Sequence, residues 1–317
     1  MIRLVRSAFS SSGATTRRQA RFRSTVEYTL LATPALIFFF MFRYLPMGGI
    51  VMAFKNFRYT QGIFGSPWVG FRNFEFLFAS QDFQILMRNT IGYSIVFLVT
   101  TVVFSVCAAL LLFELTNRTA VKFYQTVMFL PRFLSWVVVG FITWLLLNPL
   151  SGVLNQLLQA FGMERVNWYT TRPPWPFILV SANLWKTIGT SMLFYYAALM
   201  AIDSDLFEAA NIDGASRIRK MWSISVPSIT PVIVILTLLD FRDLIKGDFG
   251  LFWQIPRQVS YLRPVTDIIE TYVFRGILGG NFNIPAAVGL FQSVVAFGLI
   301  VSANWFVRRV APDKALF

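Results

Sequence analysis

Four ionisable side chains lie inside long apolar segments of this sequence: Arg43, Arg132, Lys186 and Asp240. A charge in hydrocarbon is costly unless it faces protein or a wet cavity, so these residues are candidates for contact with a transported polar molecule. The chain has no histidine, no Gly-x-x-x-x-Gly-Lys phosphate loop and no Gly-x-Ser-x-Gly turn. Because these motifs for hydrolysis and nucleotide binding are missing, we do not expect the protein to be an enzyme.

One apolar segment, 176–201, carries most of the polar groups that could line a pathway. Asn183, Lys186 and Thr190 share one helical face because they are three and four residues apart. Trp185 and Tyr195 add aromatic rings, and sugars are bound by amide, hydroxyl and charged groups combined with such rings. The predicted pathway residues are Asn183, Trp185, Lys186, Thr190, Tyr195, Arg132 and Asp240.

Each of the charged residues also has a structural interpretation. Lys186 suits a substrate contact and a structural ion pair equally well. Arg132 follows Pro131 and could instead bond to carbonyls that a proline kink sets free. Arg43 suits a side chain that reaches back to the membrane interface, as long basic chains do. Asp240 is a candidate partner for any of the three cations.

The composition is that of a membrane protein. Of the 317 residues, 56% are apolar and 34 are Phe, and the mean hydropathy is +0.61. Segments 90–113 and 284–307 contain no charge, and about 20 such residues cross the hydrocarbon layer as a helix. Four more segments carry few charges or prolines: 28–54, 123–147, 176–201 and 225–241. We therefore predict an all-α membrane protein with about six transmembrane helices.

The basic residues predict the orientation of the chain. The net charge is +13, and the tail 1–24 holds six arginines without an acidic residue. In so apolar a chain this surplus indicates cytosolic loops, which are rich in Lys and Arg, and not nucleic-acid binding. Both termini and loop 203–227 are expected in the cytosol. A cleaved signal peptide is disfavoured because no small-x-small site closes the first segment.

The sequence also predicts how the chain divides into a tail and a domain, and whether cysteines stabilise the fold. The tail 1–24 is rich in Ser, Thr and Arg, which predicts a flexible arm, and 25–317 is expected to form one transmembrane domain. A single cysteine, Cys107, lies within an apolar segment, so neither a disulfide nor a cysteine metal site is expected. Outside the membrane, we predict a short helix at 153–161, between proline-rich breaks.

A polar stretch with small residues lies between two apolar segments. Glu208-Ala209-Ala210 suits a short helix that must fit closely against another surface, and Gly214 can turn the chain out of it. Asp205 or Ser204 is the predicted N-cap. The alternative is an ordinary connecting helix, since all three of these residues are common helix formers.

The whole of segment 203–227 resembles the EAA loop of permease subunits in binding-protein-dependent ABC importers. The pattern is Glu-Ala-Ala, a Gly, and an apolar-Pro pair, here Val226-Pro227 where the family usually has Leu-Pro. Segments 44–47, 65–70, 71–74, 267–273 and the closing Asn304-Trp305 are similar to the polysaccharide-type sugar permeases. The likeness covers nearly the whole chain after the tail.

This resemblance implies a fold, a role and partners. The fold is that of a type I importer permease in the bacterial inner membrane, and the chain forms half of a pore that works by alternating access. Implied partners are a second related permease, two cytosolic ATPases that bind ATP and Mg²⁺, and an external solute-binding protein; no cofactor is expected in this chain. The implied ATPase-coupling residues are Glu208, Ala209, Ala210, Asp213, Gly214, Ala215, Arg217 and Pro227.

The predicted substrate is an oligosaccharide. Three cations within the membrane suit an acidic glycan such as a uronate, because a cation is poorly matched by a neutral sugar. Two other classes remain open at this point: an ion-coupled secondary sugar transporter, and a membrane anchor or assembly protein without transport. Secondary carriers commonly show two similar halves and more acidic groups in their spans.

Overall fold

The computed structural model describes residues 28–241 and 244–310. The tail 1–24 therefore lies outside the described residues. Five helices are long and apolar enough to cross a membrane, and a bent pair makes a sixth span. The spans are α1 (Tyr28–Phe54), α4 (Gln81–Phe113), the pair α5 (Arg118–Phe129) and α6 (Trp136–Leu147), α8 (Trp175–Met200), α10–α11 (Arg217–Lys220 and Val226–Phe241) and α15 (Asn283–Val310). The predicted number of six is confirmed.

Shorter helices connect these spans. On the side that we assign to the exterior they are α2 (Gly62–Gly65), α3 (Arg72–Ala79), α7 (Val153–Ala160), α12 (Phe249–Gln254), α13 (Arg263–Thr266) and α14 (Ile269–Leu278), and on the opposite side α9 (Ser204–Ile212). The predicted helix at 153–161 is thus found one residue shorter. The described residues contain no named strand, only an isolated antiparallel bridge between Lys55 and Trp68.

Helices α4 and α8 form the centre of the molecule. Ser80 caps α4 by accepting a hydrogen bond from the backbone N–H of Phe83 (3.2 Å). Inside the membrane, the Ser105 hydroxyl donates to the carbonyl of Ile188 (3.2 Å). Around this contact the buried residues Ala109, Leu112, Met192, Tyr195, Leu199 and Ile229 form one apolar cluster. A polar contact inside an apolar pair fixes how the two helices face each other.

The third span is bent, where the sequence predicts one helix over 123–147. Its halves meet at 101°, because a 3-10 turn, Leu130–Phe133, follows α5 and Ser135 begins a new helix in an extended conformation. The Ser135 hydroxyl caps α6 by accepting from Val138 N–H (3.3 Å). Pro131 within the turn cannot continue the hydrogen bonding of α5. The bend places Arg132 between the two halves.

Beneath the outer surface, α14 is tied to α15 through Glu270. Its Oε1 accepts hydrogen bonds from the backbone N–H of Gly247 (3.0 Å) and from Nε2 of Gln292 (2.6 Å). Burial raises the pKa of the Glu270 carboxyl, although these hydrogen bonds and the charge of Lys246 act against the increase. Nearby, Asp267 and Arg275 form an ion pair.

The connecting helix α9 begins differently from the prediction. The N-cap is Asp203, whose side chain accepts from the N–H of Asp205 (3.1 Å), so the predicted caps Asp205 and Ser204 lie within the helix. The reason is that Asp203 alone keeps an extended backbone there (ψ 128°). At the other end Gly214 has φ +71°, the left-handed conformation that ends helices.

Candidate functional site

A cavity of about 500 Å³ opens between α4, α8 and α11. Its wall combines hydroxyl and amide groups, aromatic rings and four charged side chains. Among its lining residues are Ser94, Thr101, Asn183, Thr187, Thr190, Ser191, Phe97, Phe194, Tyr195, Arg132, Asp240, Lys246 and Asp248. The arrangement offers many hydrogen bonds beside aromatic surface, as sugar recognition requires.

Five of the seven predicted pathway residues line this cavity: Asn183, Thr190, Tyr195, Arg132 and Asp240. The Thr190 hydroxyl is buried and has no hydrogen-bond partner among the described residues. A buried hydroxyl without a partner is costly. Thr190 therefore lines the cavity as a residue, but its hydroxyl oxygen is buried within the wall.

Lys186 lies behind the wall and forms no ion pair among the described residues, while its substrate contact stays a prediction. Its ammonium lies 4.1 Å from the centroid of the Trp136 ring, a cation–π geometry. Trp136 in turn donates from Nε1 to Oδ2 of Asp248 (2.8 Å), and Asp248 caps α12 by accepting from Leu251 N–H (3.2 Å). Lys186 thus belongs to a chain of contacts that joins α8, α6 and α12.

Trp185 and Arg43 also lie apart from the cavity wall. Trp185 is 44% exposed, because its position on α8 turns it away from the face that holds Asn183. Arg43 is exposed within a π-helical turn, Phe40–Tyr44. Both positions suit contacts outside the cavity.

Two cations are accessible in the cavity. Arg132 and Lys246 are exposed lining residues, and Arg132 makes no hydrogen bond to another described residue, so the predicted bond to kink carbonyls is not formed. Asp240 and Asp248 balance them in number. Asp240 makes contacts of its own. Asp248 accepts hydrogen bonds from Trp136 and from the N-terminus of α12. Because both carboxylates are engaged in this way, Arg132 and Lys246 are the more available charges.

The sequence reasoning missed several lining residues. Thr187 and Ser191 lie four and eight residues after Asn183, so their helical spacing was a usable signal. Lys246 and Asp248 come from the segment after α11. No periodic pattern connects that segment with α8, and only the tertiary structure brings them together.

The segment around α9 presents an exposed surface on the opposite side of the membrane. Glu208, Ala209, Asp213, Gly214, Arg217 and Pro227 are exposed, and Ala210 and Ala215 are half-buried. Ile212 is 88% exposed beside these acidic groups. Arg217 approaches Glu114 only to 4.0 Å, so its guanidinium stays available. A single exposed apolar side chain is common on protein surfaces, so the docking role of this segment stays a prediction.

The comparisons with known proteins identify the family. Residues 101–315 match the model of the "Binding-protein-dependent transport system inner membrane component". The chain belongs to this family. It is a permease subunit of an ABC importer and a multi-pass protein of the inner membrane, and the predicted function is confirmed at this level.

Individual relatives extend over nearly the whole chain. The chain is 35% identical over 288 residues to the polygalacturonan/rhamnogalacturonan transport system permease protein YteP of Bacillus subtilis (strain 168), covering 90% of this chain and 88% of the relative. It is 31% identical over 298 residues to the sn-glycerol-3-phosphate permease UgpA of Escherichia coli (strain UTI89 / UPEC), covering 93% and 97%.

The fold also matches a solved importer. A chain from the crystal structure of a bacterial ABC transporter that imports the acidic polysaccharide alginate aligns with a TM-score of 0.82 and 32% identity, covering 91% of this chain and 97% of that one. A chain from the crystal structure of a bacterial alginate ABC transporter, in complex with an alginate pentasaccharide-bound periplasmic protein, aligns with a TM-score of 0.80 and 32% identity, covering 91% of this chain and 96% of that one. The predicted type I importer permease fold is confirmed.

Proposed function

We propose that this permease forms half of the translocation pathway for an acidic oligosaccharide. The observation that carries the proposal is the cavity, where Arg132 and Lys246 are exposed beside the hydroxyl-bearing lining residues Thr187 and Ser191. Charge-assisted bonds to sugar carboxylates and neutral bonds to sugar hydroxyls are then available together. The alginate importer and YteP, a polygalacturonan/rhamnogalacturonan permease, support the acidic class.

The remaining half of the pathway comes from a second related permease. An external solute-binding protein delivers the glycan, and alternating access then follows from the different affinity of each ligand for two global states.

The exposed surface of α9 passes the conformational change that ATP hydrolysis drives in the ATPase on to the membrane spans. Two cytosolic ATPase subunits bind ATP and Mg²⁺, so the chain itself holds no cofactor. Glu208, Asp213 and Arg217 supply charged contacts on the ATPase, and Ala209 and Ala210 allow the close approach that larger side chains would prevent.

The substrate proposal is tested with the complete importer in proteoliposomes, supplied with its binding protein. Uptake of a uronate oligosaccharide should exceed that of a neutral oligosaccharide of equal length. Arg132→Gln and Lys246→Gln should each reduce uronate uptake about tenfold, as expected for one charge-assisted contact. Arg165→Gln, an exposed arginine in an outer loop, serves as the matched control. Equal uptake of both glycans by the unaltered importer would refute the acidic substrate.

The docking surface is tested with a matched pair of glycine substitutions. Gly214→Val forces a β-branched residue to φ +71°, and Gly162→Val imposes the same strain at φ +73° in an outer loop. Such strain costs about 1–2 kcal/mol. We expect the ATPase to co-purify with the Gly162→Val chain but to be lost from the Gly214→Val chain. If both chains retain the ATPase equally, α9 is not the docking element.

A further inference from the structure

A second groove lies at the outer ends of two spans, separate from the translocation cavity. It has a volume of about 300 Å³ and is lined by Asn56, Val69, Arg72, Asn73, Phe76, Asn281, Asn283 and Ile284. Asn56 comes two residues after α1 ends at Phe54, and Asn283 is the first residue of α15. Because both spans end here, the groove lies at the level of the lipid headgroups.

Backbone contacts determine which atoms of the asparagines remain available. Asn283 accepts from the Phe57 N–H through Oδ1 (2.8 Å), so its amide nitrogen faces Oδ1 of Asn56 (3.1 Å). Oδ1 of Asn281 accepts from the N–H of Asn283 (3.2 Å). A backbone N–H requires an acceptor, which fixes the orientation of these amides. The amide nitrogens of Asn56 and Asn281 are therefore left as donors.

The other polar residues complete a donor-rich groove. Nδ2 of Asn73 donates to the carbonyls of Ala53 (2.8 Å) and Lys55 (3.1 Å), which leaves Oδ1 of Asn73 as an acceptor. The Arg72 guanidinium makes no hydrogen bond or ion pair within the part of the chain that the structure describes, not even with Glu75 one turn later. The groove thus offers a cation and two amide donors to an anion, and one acceptor to a hydroxyl.

The surroundings of the groove indicate lipid. Trp68, Phe71 and Phe76 are 64%, 68% and 66% exposed, and Trp68 and Phe71 pack against Phe54 with ring centroids 5.6 Å and 5.4 Å away. Exposed aromatic rings of this kind concentrate where headgroups meet acyl chains. At this level a free guanidinium favours an anionic headgroup, because it can form charge-assisted hydrogen bonds to phosphate oxygens.

We propose that this groove binds the headgroup of an anionic glycerophospholipid. The phosphodiester is held by Arg72 and the amides of Asn56 and Asn281, and a headgroup hydroxyl donates to Oδ1 of Asn73. The acyl chains then lie along the exposed rings of Phe71 and Phe76. A bound lipid would join the outer end of α1 to the start of α15, next to the direct bond between Phe57 and Asn283.

The test counts lipids bound to the full chain together with the subunits that co-purify with it. The protein is exchanged into phosphatidylglycerol or phosphatidylcholine, and the lipids retained in native mass spectra are counted. We expect phosphatidylglycerol to be retained and phosphatidylcholine to be lost. Arg72→Gln should weaken phosphatidylglycerol retention about tenfold, the loss expected for one charge-assisted contact.

Arg58→Gln is the matched control, since Arg58 is exposed in the same outer segment but does not line the groove. Neither variant removes a side-chain contact within the described residues, so both should fold. Equal phosphatidylglycerol retention by the two variants would overturn the proposal. Displacement of the Arg72-dependent lipid by a uronate oligosaccharide would also overturn it, because the groove would then be a glycan site.

Discussion

The carboxyl of Glu270 is held beneath the outer surface by Gly247 and Gln292, and its second oxygen is buried without a hydrogen-bond partner among the described residues. Burial favours the neutral acid, so the pKa of Glu270 is raised above its ordinary value of 4.5. The folded state therefore holds this proton more tightly than the unfolded chain. The corresponding stability is present at low pH and is lost as the pH rises through the folded-state pKa.

Glu270→Gln should remove this pH dependence. Glutamine keeps the oxygen that accepts from Gly247 but carries no charge, and each unit of pKa difference corresponds to about 1.4 kcal/mol. We expect the unaltered protein to lose thermal stability between pH 4.5 and neutrality relative to the variant. Thermal unfolding in detergent at several pH values measures this. Glu75→Gln, at an exposed position of α3, is the control. If the unfolding temperatures of Glu270→Gln and the unaltered protein change with pH in parallel, the expectation is contradicted.

At the scale of residues, the sequence could predict the polar face of α8 but not the whole cavity. Asn183 and Thr190 were found because helical spacing places them on one side. Lys246 and Asp248 were missed because they reach the cavity through a segment distant in sequence. Lys186 was placed correctly in a span, but its partner was not predictable, since the Trp136 ring belongs to a helix that exists only because the third span bends.

At the scale of elements, the close approach of α8 to the end of α5 depends on Gly189. A Cβ atom at this position would overlap the carbonyl group of Met128, and backbone cannot move aside as a flexible side chain can. Gly189→Ala should therefore destabilise the protein by about 1–3 kcal/mol through overpacking.

Gly92→Ala provides the comparison, because a Cβ at Gly92 of α4 would meet nothing within 4 Å. This second substitution should be neutral or slightly stabilising, since alanine favours helix more than glycine does. Denaturation midpoints of the two variants in the same detergent measure the difference. A Gly189→Ala protein as stable as Gly92→Ala would show that α5 and α8 can separate at little cost.

The elements also show what hydropathy can and cannot predict. The number and approximate bounds of the spans could be predicted from the lengths of the apolar segments, because a spanning helix must match the thickness of the hydrocarbon layer. The bend at Ser135 did not follow, since it depends on the ψ angle of one residue and on the packing of α6 against α12. The cap of α9 was wrong by one or two residues because Asp203, Ser204 and Asp205 are all suitable capping residues.

At the scale of the whole molecule, the orientation in the membrane remains a prediction from the charge distribution. In a Cys107→Ser background without other cysteines, Arg165→Cys should react with a membrane-impermeant maleimide added outside intact cells. Ile218→Cys, 69% exposed beside α9, should react only after the membrane is opened. The reverse labelling pattern would place both termini and α9 outside.

Helix α1 has one buried residue, Ala53, along its entire length from Tyr28 to Phe54. It is also the first described span to be synthesised, before any of the helices that could shelter it exist. Its entry into the bilayer during translation therefore depends on the transfer free energy of its own residues and on the charges that flank it. A second charge in α1, in addition to the exposed Arg43, would impair biogenesis itself, whereas Lys186 of α8 packs against the ring of Trp136 after folding.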